Sequence, residues 1–371
     1  MPKKKIELKN SLGMFDLLKG FIMILVMLSH TYGLFDFVDE NGNYISQIGI
    51  PVLFIIVILT AVGKAAMPAL FFMSGYGFRK MSFSKCLKKQ ADTLLKPYCV
   101  TAIVATSIFL VVTYLTHLGW LRYTIKETIK VFFGFVLGMP KDVTINGIYI
   151  STSGHIWFLI ALIVGNILFN FLLSHFDGRK LLVVSFIIAC IGCVVGIFVT
   201  VPWSITQAMV AVLYICLGYF TKKNKMIKGA NTKKTVIIMA VISIIAIIIS
   251  TMTDFNMALS MYPLGPLSIV VFGLFGIAIT YFALYLNVLN GPISRIIRRI
   301  GHLSLYVLCI HGIEYIGFGR YLQNVFYDHW HGNVFLRSAI IFAIRLVVVL
   351  GATFAFASIK EKRFKKKGQR G

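Results

Sequence analysis

Apolar runs of about 20 residues, separated by short clusters of Lys and Arg, recur along the whole 371-residue chain. A helix rises about 1.5 Å per residue, so each run matches the roughly 30 Å hydrocarbon core of a bilayer. Hydrophobic residues make up 58% of the chain and charged residues 13%, against about 25% charged in a soluble domain. That leaves too little polar surface to coat a soluble globule, and it excludes a disordered chain as well. The fold class implied is all-α: a polytopic membrane protein, read as a single transmembrane domain over residues 1–371.

Ten spans are expected, near 14–33, 50–79, 98–118, 155–174, 181–200, 203–220, 235–252, 265–288, 302–319 and 334–357. With a cytoplasmic N-terminus, the inner segments are 1–13, 79–97, 175–180, 221–234, 291–301 and 358–371, and they carry 28 of the 37 basic residues. The outer loop 34–49 has none, only Asp36, Asp39 and Glu40. This bias predicts both termini inside, in a multi-pass protein of the plasma membrane. The net charge of +24 has the same origin. Cations placed between apolar runs orient spans, so nucleic acid is not the expected partner; membrane lipid is. The tail 358–371 reads as a stop-and-orient signal at anionic lipid. The start Met1-Pro2-Lys3-Lys4-Lys5 leads into a full-length span, so no cleavable leader is expected. The six cysteines, including the Cys190–Cys193 pair inside an apolar run, read as packing residues; no disulfide framework and no metal site are expected.

Two stretches are irregular. Residues 48–79 would make a helix of about 48 Å. Splitting it at Lys64–Pro68 would invert every later loop, so parity favours one crossing, with 48–63 at or beyond the outer interface and a kink at Pro68. In 119–154, Arg122, Lys126, Glu127 and Lys130 alternate with Ile125, Ile129, Phe132 and Phe133. That pattern predicts an amphipathic helix at the outer interface, followed by a polar loop. The loop is either a cap over an acceptor site or a plain surface loop.

Ionisable groups inside spans are costly, and each is a candidate for function. Asp16, Lys19 and His30 lie in the first span. Lys19 and His30 are 11 residues apart, which puts them on one helix face about 16.5 Å apart along the axis. A cation at the inner mouth suits a phosphate-bearing donor, and a deeper histidine suits proton transfer. A snorkelling Lys19 and a hydrogen-bonded interfacial His30 are the plainer alternatives. Ser74 and Tyr76, flanked by Gly75 and Gly77 and followed by Arg79 and Lys80, read as a close backbone approach beside positive charge, or as an aromatic belt with inner charges. His155 and Trp157 open the fourth span and line an acceptor pocket or the outer belt. In the ninth span, Tyr306 precedes His311 and Glu314, which share a face. Glu314 and Arg345 of the tenth span fall at similar depth, which predicts a buried ion pair between the last two helices.

Taken together, the segments Phe15-Asp16-Leu17-Leu18-Lys19-Gly20 with His30 ten intervening residues on, Pro68 to Tyr76, Trp157-Phe158-Leu159, and Gly301 to Tyr306 running on to His311 resemble the membrane-bound acyltransferase-3 family. Members usually carry Arg where Lys19 stands. The resemblance implies about ten helices with both ends inside. It implies transfer of an acyl group, usually acetyl, from cytoplasmic acyl-CoA to a hydroxyl of an extracytoplasmic or lipid-linked glycan, as in O-acetylation of a cell-envelope polysaccharide. Carried over, His30 would be the base or acyl-handling residue, with Asp16 and Lys19 beside it in the catalytic set. Lys19, Ser74, Tyr76, Arg79 and Lys80 would hold acetyl-CoA. His155, Trp157, Tyr306, His311 and Glu314 would serve the acceptor. No fused esterase-like or racemase domain is expected. Two other readings stay open from the residues alone. One is a secondary transporter or exporter using the same polar groups, although no repeat between halves is visible. The other is a non-catalytic membrane module on the same scaffold.

Overall fold

A computed structural model describes residues 13–31, 50–145, 147–229, 232–330 and 333–368. The expected acidic outer loop 34–49 and the extreme ends of the chain lie outside the described residues. The helices are α1 (Asp16–Ser29), α2 (Ile50–Gly77), α3 (Phe83–Gln90), α4 (Lys96–Thr116), α5 (Leu121–Val136), α6 (Trp157–His175), α7 (Gly178–Phe198), α8 (Ile205–Lys223), α9 (Met226–Gly229), α10 (Lys233–Met252), α11 (Pro266–Tyr285), α12 (Pro292–His302), α13 (Ser304–Glu314), α14 (Arg320–His329) and α15 (Val334–Gly368). A two-stranded antiparallel hairpin, β1 (Val143–Ile145) with β2 (Ile148–Ile150), pairs Thr144 with Tyr149.

Eight helices of the described residues are long and apolar enough to cross a membrane. A ninth candidate is the pair formed by Pro292–His302 and Ser304–His329, bent by 76° at its joint. α1 contributes only 14 described residues, about 21 Å, which by itself falls short of a crossing. Every expected span therefore has a helix, with the first short and the ninth bent. α2 runs unbroken through Pro68 for 28 residues, about 42 Å, as the parity argument for a single crossing requires.

The bend marks a difference from expectation. Residues 291–301 were expected as an inner loop, and they form the helix α12 instead. Pro292 at its first turn fits a helix start, and Ile293, Ile296, Ile297 and Ile300 recur at helical spacing. α12 lies against α1, and its Arg298 is buried rather than solvated. The Arg298 guanidinium donates to Asn287 Oδ1 (2.9 Å) and to the carbonyls of Asn287 (3.0 Å) and Leu289 (2.8 Å). It thus satisfies carbonyls left over where α11 ends. One of the cations that sequence reading assigns to orientation is therefore structural.

The amphipathic segment of 119–154 is present as α5. Its buried stripe is Thr124, Thr128, Val131 and Phe135, and its exposed side carries Ile125, Ile129, Phe132 and Phe133. An apolar exposed face on a helix of this kind is what a lipid contact calls for.

Glycines set the closest helix contacts. A Cβ at Gly75 would overlap the Ile215 carbonyl, and one at Gly218 would overlap the Phe72 carbonyl, so α2 and α8 touch backbone to backbone. α1 and α12 do the same, where a Cβ at Gly20 would strike the Ile297 carbonyl and one at Gly301 the Asp16 carbonyl. In lipid, close packing replaces the hydrophobic drive between helices, and small residues permit it. α13 and α15 run antiparallel, since Tyr306 meets Lys360 and Glu314 meets Arg345. α1 starts against Gly301 and ends against Arg345. The two described ends of the chain thus share one end of the bundle, called here the Lys19 end; the opposite one is the His30 end.

Gly301→Val should lower stability by about 1–3 kcal/mol through overpacking against the α1 backbone. A Cβ at Gly351 meets nothing within 4 Å, so Gly351→Ala should stay within about 0.5 kcal/mol of wild type. Thermal unfolding of the two variants in one detergent checks the contrast; equal Tm values would reject the close approach.

Candidate active site

A helix leaves its last carbonyls without partners. At the end of α1 they are taken by Arg345, which is buried on α15. Its Nη1 donates to the His30 carbonyl (2.7 Å) and to Thr31 Oγ1 (3.0 Å), with the Met27 carbonyl at 3.4 Å. Its Nε donates to both carboxylate oxygens of Glu314 (3.2 and 3.1 Å). The ion pair expected from span depth is thus present, and it does more than join two helices: it holds the end of α1. Glu314 Oε2 also lies 3.0 Å from His311 Nδ1. Directly after Glu314 the helix widens into a π-turn, Tyr315–Gly319. A Cβ at Gly319 would overlap Glu314 Oε1, so glycine makes room for the carboxylate. Single π-turns of this kind are frequent at functional sites.

Three histidines stack beside this clamp. The His30 and His155 rings are 3.6 Å apart between centroids and 23° from parallel. His155 and His311 follow at 4.3 Å and 20°. Tyr315 packs on the same group, 4.3 Å from His155 and 5.6 Å from His30. His155 sits in a single 3-10 turn, Gly154–Ile156, between a folded loop and the start of α6. The Thr152 amide donates to Asp142 Oδ1 (2.7 Å), and the Ser153 amide and Oγ donate to the Met139 carbonyl (2.8 and 2.9 Å). Gly154 then turns the chain at φ +62, a left-handed value that glycine adopts without strain. His155 Nε2 and His311 Nε2 are buried with no partner, as is Arg345 Nη2. Rings stacked face to face do not aim their nitrogens at one centre, and no metal-binding group is found among the described residues.

His30 and His155 line a cavity of about 430 Å³. Its walls include Ser29, Thr60, Lys64 and Trp157, and its far side is the turn from Asp254 to Ala258 with Met261. The polar loop Lys141–Gly154 was read as either a cap over an acceptor site or a plain surface loop, and it contributes no lining residue to this cavity. It supports His155 from behind, while the α10–α11 connection covers the cavity because α10 and α11 both pack on α2.

The donor-side residues stand elsewhere. Lys19 pairs with Asp16 (3.3 Å), whose second oxygen lies 3.4 Å from His302 Nδ1. Lys19, Met23, Val26 and His30 form one stripe by spacing, but Met23 is buried in the core, and Lys19 does not line the His30 cavity. Asp16 and Lys19 are therefore not brought to His30. Ser74 Oγ donates to Asn166 Oδ1 (3.4 Å), and Asn166 Nδ2 to Gln90 Oε1 (3.2 Å). Tyr76 packs edge-on against Phe15 at 5.2 Å, with the Lys222 ammonium 5.9 Å from its ring. Arg79 and Lys80 are exposed at the same end. Tyr306 is bonded to Lys360 and packs on Phe356, about 12 Å along the helix axis from Glu314. It stands apart from His155, Trp157, His311 and Glu314, which the fold does gather. Sequence reading missed Tyr315, Thr31 and the 254–258 turn. Tyr315 follows His311 at i, i+4, a spacing that signals a shared face; the turn carries no comparable mark.

Arg345→Met strands the Glu314 carboxylate and should cost about 3–5 kcal/mol. Adding Glu314→Gln should restore much of that loss. Equal Tm values for the single and double variants would reject the coupling.

Comparison with curated proteins and with solved structures gives no match. The acyltransferase-3 family model, described as an acyltransferase domain, matches residues 13–359. That stretch contains the clamp, the histidine stack, the cavity and both glycine contacts, and the chain belongs to the acyltransferase-3 family of multi-pass membrane acyltransferases.

Proposed function

We propose that this acyltransferase moves an acetyl group from acetyl-CoA to a hydroxyl of a cell-surface or lipid-linked glycan, with His30 as the base. The observation that carries this reading is His30 itself: it lines a cavity whose mostly apolar wall also carries Ser29, Thr60, Lys64, Asp254 and Asn256, while its backbone is locked by Arg345. The Lys19 end is read as cytoplasmic, since the basic segments gather there, and the His30 end as facing outward from the plasma membrane.

At the Lys19 end, Lys19, Arg79, Lys80 and Lys222 supply positive charge around Tyr76. Point charges of this kind suit the phosphates of a CoA thioester. Acetyl-CoA supplies the activated acyl group. The acceptor enters the cavity, where Trp157 offers an apolar wall and Asp254 and Asn256 offer polar groups. An imidazole nitrogen of His30 takes the acceptor's proton as its oxygen attacks the thioester carbonyl carbon. The new C–O bond forms, the C–S bond breaks, and the same proton leaves with the CoA sulfur. Glu314 accepts from Nδ1–H of His311, which leaves His311 Nε2 as an acceptor within the stack. His155, stacked between His30 and His311, fixes the plane of the His30 ring.

His30→Ala should lower kcat by at least about 10²-fold, the scale of a lost general base, with Tm and elution volume unchanged. CoA thiol release by purified protein, with glycan extract as acceptor, measures it; wild-type turnover in that variant would sink the assignment. Lys19→Ala should raise the acetyl-CoA KM roughly tenfold, the scale of one charge-assisted hydrogen bond, while Lys19→Arg keeps it near wild type. An unchanged KM in Lys19→Ala would remove Lys19 from the donor site.

A further inference from the structure

Lys64 stands inside an apolar span of α2, where a cation is expensive. Its side chain is only 15% exposed, yet it is not stranded. The ammonium donates to the carbonyls of Ser250 (2.8 Å) and Thr253 (2.5 Å), where α10 ends, and lies 3.6 Å from Asp254. A cation at a helix C-terminus meets unpaired carbonyls and the negative end of the dipole. Lys64 therefore fastens the start of the α10–α11 turn to the cavity wall.

The rest of that turn is held from other sides. Asn256 and Met261 exchange backbone hydrogen bonds (3.1 and 2.9 Å), and Gln207 Nε2 donates to the Ala258 carbonyl (3.2 Å) and Ser260 Oγ (2.9 Å). Phe255 stacks on Phe272 at 4.2 Å. Two polar side chains then remain at the cavity. The Asp254 carboxylate is 87% exposed despite its ion pair. Asn256 uses Oδ1 to accept from the Leu259 amide (3.2 Å), which leaves its NH2 group as a donor. The Lys64 ammonium is enclosed and the Asp254 carboxylate is exposed, so this wall offers hydrogen-bond donors and acceptors and presents the carboxylate as its accessible charge.

We propose that Lys64 is a positioning residue for the acceptor, fixing the 253–261 turn over the His30 cavity so that Asp254 and Asn256 receive a neutral, hydroxyl-rich head group. The acceptor role rests on the acyl-transfer reading above; the tie between Lys64 and the turn does not. Asp254 accepts from acceptor hydroxyls, Asn256 donates to them, and an anionic sugar meets the Asp254 carboxylate as a like charge.

The test uses the full chain in nanodiscs, with Lys64→Met, Lys64→Arg and Asp254→Asn. Backbone amide exchange over 253–261 should quicken about tenfold in Lys64→Met, the scale of one charge-assisted bond, and stay near wild type in Lys64→Arg. Unchanged exchange in Lys64→Met overturns the tie. With acetyl-CoA as donor, wild type should acetylate a neutral alkyl maltoside at lower KM than an alkyl glucuronide. Lys64→Met should raise the maltoside KM roughly tenfold, with the acetyl-CoA KM unchanged. Asp254→Asn, an exposed change that leaves folding intact, should narrow the gap between the two acceptors. A gap unaffected by Asp254→Asn, or a fall in kcat with the maltoside KM unmoved in Lys64→Met, overturns the acceptor role. A wild-type protein that transfers no acetyl group overturns the acyl-transfer reading and the acceptor role together, and amide exchange still decides the tie.

Discussion

A buried guanidinium governs the geometry of this protein. Arg345 has to satisfy a carboxylate on α13 and two groups at the end of α1 from one planar fork. An arginine at that depth is tolerable only when its donors meet acceptors arranged for it. Three segments are consequently fixed relative to one another at one point. His30 caps the end of α1, directly after Ser29, so fixing the carbonyl of His30 fixes the catalytic candidate. His311 is held by the same carboxylate. The electrostatic demand of one side chain thus sets the spacing of the outer two rings of the stack, and the folded loop behind His155 inserts the middle one.

The lower half of the bundle is organised by a different constraint. With lipid on the outside, apolar side chains gain little by leaving it, so contact between α1 and α12 depends on how closely backbones approach. Gly20 and Gly301 permit that approach. Asp16 then lies beside His302, and its pairing with Lys19 closes the same junction. The clamp at one end and the glycine contact at the other hold α1 at both ends, which suits a helix with only 14 described residues.

Much of this could be read from the residues because lipid imposes simple rules. Apolar runs of fixed length gave the helices, and the cost of a buried charge paired Glu314 with Arg345 before any contact was seen. His30 and His311 stood out as polar groups inside spans. What stayed hidden depends on chain geometry in three dimensions. The stacking of His155 between them follows from a left-handed Gly154 and bonds to the Met139 carbonyl, none of which has a period. α12 was hidden because three arginines in 11 residues read as a solvated loop, whereas Arg298 turns inward to the carbonyls after α11. The polar loop Lys141–Gly154 stood out as a candidate cover for its length and polarity, beside the reading as a plain surface loop; the α10–α11 turn is shorter, and Lys64 holds it from a different helix.

Three cations placed along the bundle also differ in kind, and their chemistry accounts for the choice. Arg345 must reach acceptors on separate segments in fixed directions, which a rigid fork does and an ammonium does not. Lys64 meets two carbonyls and a carboxylate that converge on one point, and three rotatable protons on a compact ammonium fit that cluster. Lys19 has one partner oxygen, at 3.3 Å, and a partly exposed side chain. It therefore keeps donors free toward the basic end of the bundle. A single partner oxygen asks for a point charge, so lysine suits position 19, whereas the group that holds His30 needs the fork that Arg345 supplies.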